Sequence, residues 1–191
     1  MRTATRRAAG LDTAGWTGEL RDEVETYFDG LAGEWNTRTS PQRTAIVMDA
    51  LTRGLAAVRP PSGLAVEVGS GTGAYSHLLA ERFAPVVAID LSLAMLRLAP
   101  TEPACRVQGD GARLPLGDAS AAAMILINAF LFPVEIERVL SPDGVVVWVN
   151  SSGEHTPIYL PVEDLVAALP GGWSGVSSRA GEGHWCVLRR A

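Results

Sequence analysis

Residues 65–75, Ala65-Val66-Glu67-Val68-Gly69-Ser70-Gly71-Thr72-Gly73-Ala74-Tyr75, run from an apolar stretch holding one carboxylate into three alternating glycines and then into a helical pattern. Glycines spaced this way let the backbone turn sharply and approach a ligand, and free N–H groups at the start of a following helix would form an electropositive patch. From Leu64 onward, apolar runs alternate with helical segments, the signature of a parallel sheet covered on both faces. The strands expected are 65–68, 86–89, 105–107, 123–127 and 145–150. The helices between them are expected at 73–83, 92–98 with Ser92 as cap, 135–140 and 162–169. Ser141-Pro142-Asp143-Gly144 reads as a turn before the fifth strand. Residues 173–178 and 185–189 are joined by a link too short for a helical crossover, so they pair as an antiparallel hairpin.

The expected architecture is α/β: a Rossmann-like, doubly wound, seven-stranded sheet, mostly parallel, with a C-terminal antiparallel hairpin and an N-terminal helical cover. The length of 191 residues suits one domain, read as 19–191, with the cover at 19–60 and the α/β core at 61–191. Glu19 to Asp29 is one cover helix, and Ser40-Pro41 caps a second that runs to about Val58. Residues 1–18 contain few apolar side chains and read as a disordered tail. The 16 basic residues are all arginine and scattered, and the net charge is −5, which speaks against a nucleic-acid groove. The run from Ala121 to Val134 is too short for a bilayer and reads as a buried strand, and the expected location is cytoplasmic. Cys105 and Cys186 lack metal-ligand spacing and read as core thiols, so no metal site is expected.

Which ligand the glycine loop takes depends on its neighbours. Gly69, Gly71 and Ala74 also satisfy a dinucleotide fingerprint, with Asp90 at a suitable distance downstream, so the glycines alone serve two cofactors equally. A ligand-free turn is a third reading. Glu67 beneath the loop would repel a pyrophosphate and attract a ligand carrying an ammonium and a sulfonium, which favours S-adenosylmethionine.

With the closing hairpin and four ordered motifs, the chain from about Tyr27 to Arg189 resembles the class I S-adenosylmethionine-dependent methyltransferases, in particular the small-molecule branch that includes quinone-biosynthesis enzymes. The resemblance implies that Gly69, Ser70, Gly71 and Gly73 pack against the methionine part of the cofactor and that Glu67 helps hold its ammonium. It implies that Asp90 accepts from the ribose hydroxyls, that Leu91 and Met95 flank the adenine, and that Asp110, within Asp110-Gly111-Ala112, accepts from the adenine amino group. Asn128 would approach the methionine amino group, and Tyr27, in Tyr27-Phe28-Asp29-Gly30-Leu31-Ala32-Gly33-Glu34-Trp35, would close over that end. On the residues alone, Asp90 could instead cap a helix, Asp110 form a turn, and Tyr27 and Trp35 pack in the core.

Methyl transfer from a sulfonium needs orientation and desolvation above all, and a base only for a weakly nucleophilic acceptor. Ligands of open α/β sheets bind beyond the carboxyl ends of the strands, which brings His155, Tyr159 and His184 forward as candidate catalysts and leaves His77 on the surface. Trp35, Phe130 and His155 are the expected pocket residues for a partly apolar small molecule. The short segment 129–140 casts doubt on a normal substrate wall on its side. Two other functions compete: a catalytically idle cofactor-binding or partner protein, and a nicotinamide-dependent oxidoreductase.

Overall fold

Aliphatic runs make up the sheet, and the loop that leaves each strand determines where the cleft opens. The computed structural model describes every residue from Met1 to Ala191. Four helices come first: α1 Arg2–Ala8, α2 Gly18–Leu31, α3 Pro41–Asp49 and α4 Leu55–Val58. The strands are β1 Ala65–Val68, β2 Val86–Asp90, β3 Cys105–Gln108, β4 Ala121–Ile127, β5 Leu140–Asn150, β6 Trp173–Ala180 and β7 Gly183–Arg190. Between them lie α5 Ser76–Ala80, α6 Leu93–Leu98, α7 Pro133–Val139 and α8 Val162–Ala168. The sheet order is β3-β2-β1-β4-β5-β7-β6. β1 to β5 pair in parallel, and β7 runs antiparallel between β5 and β6. The expected architecture and hairpin are both present. Ala180 pairs with Gly183, so the hairpin turns on Gly181-Glu182, with Gly181 at φ 57° in a position that favours glycine.

Side chains alternate across the sheet and build two cores. Ile125, Val147 and Val187 face one side, where Val47 and Leu51 of the cover meet Leu79 of α5. Met124, Val146 and Trp148 face the other, under Ile136 of α7 and Leu165 of α8. The cover approaches closely because Gly54 lacks a side chain; a Cβ there would collide with Val187 and Trp185. Ser40 accepts the Arg43 N–H at 3.2 Å and Pro41 occupies the first turn of α3, as the capping pattern requires.

Four expectations need correction. The stretch 1–18 is not a disordered tail: residues 2–8 form α1, and Ala4, Thr5, Ala8 and Ala9 are buried. Alanine contributes little to a hydropathy pattern, but it is the best helix former and packs without loss of side-chain entropy. The helix after the glycine loop begins at Ser76 rather than Gly73, because Gly69, Gly71 and Gly73 have φ of 68°, 56° and 70°, outside the helical region. Ser141 to Gly144 lies within β5 as an irregularity: Leu140 opposes Ala121 and Val145 opposes Ala123, so four residues on one strand face one on the other. Cys105 is exposed rather than in the core, whereas Cys186 is buried and its thiol is pushed up to about 12 by burial. No helix is long and apolar enough to cross a membrane.

Candidate functional site

Two clefts open side by side at the carboxyl ends of β1, β2, β4 and β5, enclosing about 630 and 600 Å³ of space, open solvent at their mouths included. The clefts share Phe28, Trp35, Asn128 and Ile158 as a common wall.

The first cleft is formed by the glycine loop. The Gly69 and Ser70 N–H groups donate to Ile89 O at 2.8 and 3.1 Å, Gly73 N–H donates to Ser70 O at 3.0 Å, and Gly71 N–H donates to Asp90 Oδ2 at 2.7 Å. The expected electropositive patch is therefore largely consumed within the protein. A pyrophosphate, which binds through free backbone N–H groups, would find few donors here. Asp90 is both a capping acid and a site residue: its other oxygen accepts the Ser92 N–H at 2.8 Å, and the carboxylate lines the cleft. Burial raises its pKa despite the two N–H bonds. A carboxylate has about four acceptor positions, so both oxygens keep capacity for a ligand's hydroxyls. Asp110 combines roles in the same way, with Oδ1 accepting from Ala112 N–H at 2.8 Å in a turn and Oδ2 accepting from the Trp16 indole N–H at 3.1 Å.

Leu91, Met95 and Gly111 also line the first cleft, as does Phe130, expected on the substrate side. A Cβ on Gly111 would run into Phe132, and one on Gly71 would lie 3.0 Å from the Trp35 indole nitrogen, so both positions need glycine to keep the cleft open. Gly73 and Ala112 lie outside this lining; a Cβ on Gly73 would touch Ala99 and Pro100.

Beneath the loop, Glu67 is 2 % exposed and accepts a 2.5 Å hydrogen bond from Ser76 Oγ. Burial, aided by the charge of Asp90, pushes its pKa up to about 7. A recess joins it to Ser70, Asn128 and Arg43. Ser70 Oγ is buried without a hydrogen-bond partner, a polar atom available to a ligand. Asn128, at φ 50°, ties β4 to β5 through its amide: Oδ1 accepts from Ser151 N–H and Nδ2 donates to Ser151 Oγ, both at 2.9 Å.

The second cleft lies between the cover and residues 151–158, with Tyr27, Arg38, Arg43, Ser151 and His155 among its lining. Tyr27 is 44 % exposed and borders only this cleft, while its neighbour Phe28 borders both. Of the three catalytic candidates, His155 alone lines it. Tyr159 and His184 meet edge to face with ring centroids 6.0 Å apart, outside both linings. His77 is exposed on α5. On the side of 129–140, Ala129, Phe130 and Phe132 line the first cleft and none of the segment lines the second, which α2 and the short 3₁₀ turn Gly153–His155 help to wall.

The sequence reading missed Trp16 and Phe28. Trp16 packs against Phe130 and Phe132 with centroids 5.7 and 5.1 Å away, and Phe28 against Trp35 and Phe130 at 5.7 and 6.4 Å. Together they roof the first cleft. Polar bonds fasten this roof: Asp29 accepts from Ser92 Oγ, Gln108 donates to Glu25 at 3.3 Å, and Thr72 donates to Asn36 at 2.6 Å.

Comparison with known proteins agrees with this geometry. Residues 66–148 match the family described as "Methyltransferase domain". The chain is 36% identical over 99 residues to a protein of Micromonospora griseorubida named as a candidate 23S rRNA (guanine-N(1)-)-methyltransferase, the match covering 48% of this chain and 33% of that protein. The chain thus spans about a third of the length of the curated relative it matches. Its fold is similar to that of DhpI in a complex with SAH, with a TM-score of 0.70 and 19% identity over 92% of this chain and 99% of that one. It is also similar to a candidate S-adenosyl-L-methionine-dependent methyltransferase of Methanococcus maripaludis, with a TM-score of 0.65 and 17% identity over 85% and 93%. Residues 66–148 are thus similar to a methyltransferase domain, the fold is that of the solved methyltransferases, and the cofactor to which this likeness points is S-adenosylmethionine. The residues present fit that cofactor: a first cleft lined by two carboxylates and no cation, a buried acid beneath the loop, and an unpartnered Ser70 hydroxyl. The dinucleotide reading is set aside.

Proposed function

We propose that this protein transfers the methyl group of S-adenosylmethionine to a small, partly apolar molecule held in the second cleft. The observation that carries this reading is the wall of Phe28, Trp35, Asn128 and Ile158 common to both clefts, which would bring donor and acceptor face to face. In the first cleft, Asp90 would hold the ribose hydroxyls and Asp110 the adenine amino group, with Leu91 and Met95 against the ring. Glu67, Ser70 and Asn128 would hold the methionine end.

The cofactor supplies an electrophilic methyl on a positively charged sulfur. With that cofactor bound, an acceptor lone pair would form the new bond to carbon as the carbon–sulfur bond breaks, with that bond's electron pair left on sulfur. Alignment across the shared wall and exclusion of water by the aromatic roof would supply most of the acceleration. Where the acceptor atom carries a proton, His155, which lines the second cleft, would accept it.

A net charge of −5 and a second cleft walled by Tyr27, Phe28 and Trp35 favour a small acceptor over RNA. Within the class, the quinone-biosynthesis-like small-molecule branch is the reading we favour, on the Tyr27 to Trp35 segment that borders the second cleft. Calorimetric titration with S-adenosylhomocysteine, followed by transfer from methyl-labelled cofactor to a panel of small acceptors and to ribosomal RNA, tests the proposal. Micromolar binding with label on a small molecule is expected. Label on RNA alone, or binding with no transfer at all, would refute it, the latter pointing to a catalytically idle module.

A further inference from the structure

The second cleft differs in charge from the chain around it. The protein carries 21 acidic and 16 basic residues, yet this cleft is lined by Arg38 and Arg43 and by no carboxylate. Seven of the 16 arginines, Arg6, Arg7, Arg21, Arg53, Arg82, Arg138 and Arg190, lie within 4 Å of a carboxylate. Arg38 and Arg43 are not. Arg43 is half-buried, and its side chain donates to Arg38 O alone, at 2.5 Å. The Arg38 guanidinium lies over the Trp35 ring, 5.6 Å from the centroid, with no hydrogen-bond acceptor of its own. A guanidinium presents five donors in a planar fork that matches carboxylate and phosphate oxygens, and stacking on an aromatic face limits the freedom it must give up on binding. A half-buried cation without a counter-charge is costly in a free protein and becomes favourable when an anion arrives.

We propose that the methyl acceptor is an anion, a small molecule with a carboxylate or phosphate group gripped by Arg38 and Arg43 and a flat apolar body against Tyr27 and Trp35. The proposal rests on the methyltransferase reading above and adds the acceptor's chemical class to it. Ser151 and His155, on the same cleft, are available to the acceptor's other polar atoms. Arg43 also borders the recess of Glu67 and Ser70, where the cofactor's own carboxylate would lie, so one guanidinium serves both occupants and Arg38 carries the preference for the acceptor.

The test uses matched probes on the full chain saturated with S-adenosylhomocysteine: 4-hydroxybenzoate, 4-hydroxyphenyl phosphate and the neutral twin 4-hydroxybenzamide, titrated calorimetrically. At least one anion should bind tenfold or more tightly than the amide, and comparison of the two anions identifies carboxylate or phosphate as the preferred group. In Arg38→Gln the anion-to-amide ratio should fall to about one, and Arg38→Lys should restore part of it. Equal binding of the twins, binding of none, or an unchanged ratio in Arg38→Gln overturns the proposal. S-adenosylhomocysteine binding in the same series is an independent readout: its absence would sink the methyltransferase reading, whereas its presence beside an absent anion preference sinks only this one.

Discussion

The first cleft, proposed for the methyl donor, and the second, proposed for the acceptor, are neighbours of similar size lined by opposite charges. The donor side is lined by Asp90 and Asp110 and no cation, and the acceptor side by Arg38 and Arg43 and no carboxylate. They are also built differently. The donor side comes from strand ends and their turns, whose carboxylates are locked by backbone N–H groups at 2.7 to 2.8 Å. The acceptor side comes from the cover and one loop, and its arginines are locked by little. A locked acid reads the same hydroxyl pattern in every turnover, whereas a loosely held cation can accommodate one anion or another. On the proposed reading, the cofactor half of the site would be fixed by the fold and the acceptor half left to the cover.

Breaking the donor side should have the largest effect. Asp90→Ala removes two charge-assisted acceptors, each contributing about 1.5–3 kcal/mol, so affinity for S-adenosylhomocysteine should fall by about 100-fold or more by calorimetry. Because Gly71 and Ser92 also lose a partner, Asp90→Asn is the gentler control. A loss under threefold in both variants would show that the ribose is held elsewhere.

Glu67, in the recess beneath the glycine loop, gives the donor side a dependence on pH. Its folded pKa, about 7, lies above the unfolded value near 4.5, so the folded state binds the extra proton between these limits. The free protein should therefore lose stability as pH rises from about 4.5 to 7, by up to about 3 kcal/mol, and then level off. Cofactor affinity should move the other way, rising through pH 7 as the carboxylate ionises to meet an ammonium. Denaturant midpoints against pH should be flatter in Glu67→Gln; an identical slope would remove Glu67 as the titrating group.

These two acids were legible in the sequence because they sit at fixed offsets from strands that reveal themselves by apolar runs. The five parallel strands and the hairpin were legible for the same reason. The adenine-side roof was not. Trp16 stands alone in a polar stretch, and the alanines that dock α1 carry almost no hydropathy signal, although the tryptophan one residue before the Thr17 cap was a clue to packing. Phe28 was hidden beside Tyr27, because adjacent helical residues point different ways and a motif does not say which of the two faces inward. Arg38 and Arg43 meet across a cap, and nothing in a linear reading reveals that the cleft above them lacks an acid.

On the acceptor side, His155→Ala should lower turnover about 100-fold, the usual reach of a general base, while leaving S-adenosylhomocysteine affinity within twofold. Equal loss in both would assign His155 to structure rather than proton transfer. The smallest effect should come from Trp16→Phe, which keeps the aromatic roof and deletes one hydrogen bond to Asp110. A loss of about 1 kcal/mol in unfolding free energy is expected from denaturant titration, and no loss would mean that α1 and its connection hold the roof without that bond.

The most direct test of paired clefts meeting at one wall is a crystal structure of the protein with S-adenosylhomocysteine. Adenosine should lie between Asp90 and Asp110, with the amino-acid end toward Glu67 and the sulfur facing Phe28, Trp35, Asn128 and Ile158. A sulfur turned away from that wall, or a cofactor lodged between Arg38 and His155, would contradict it.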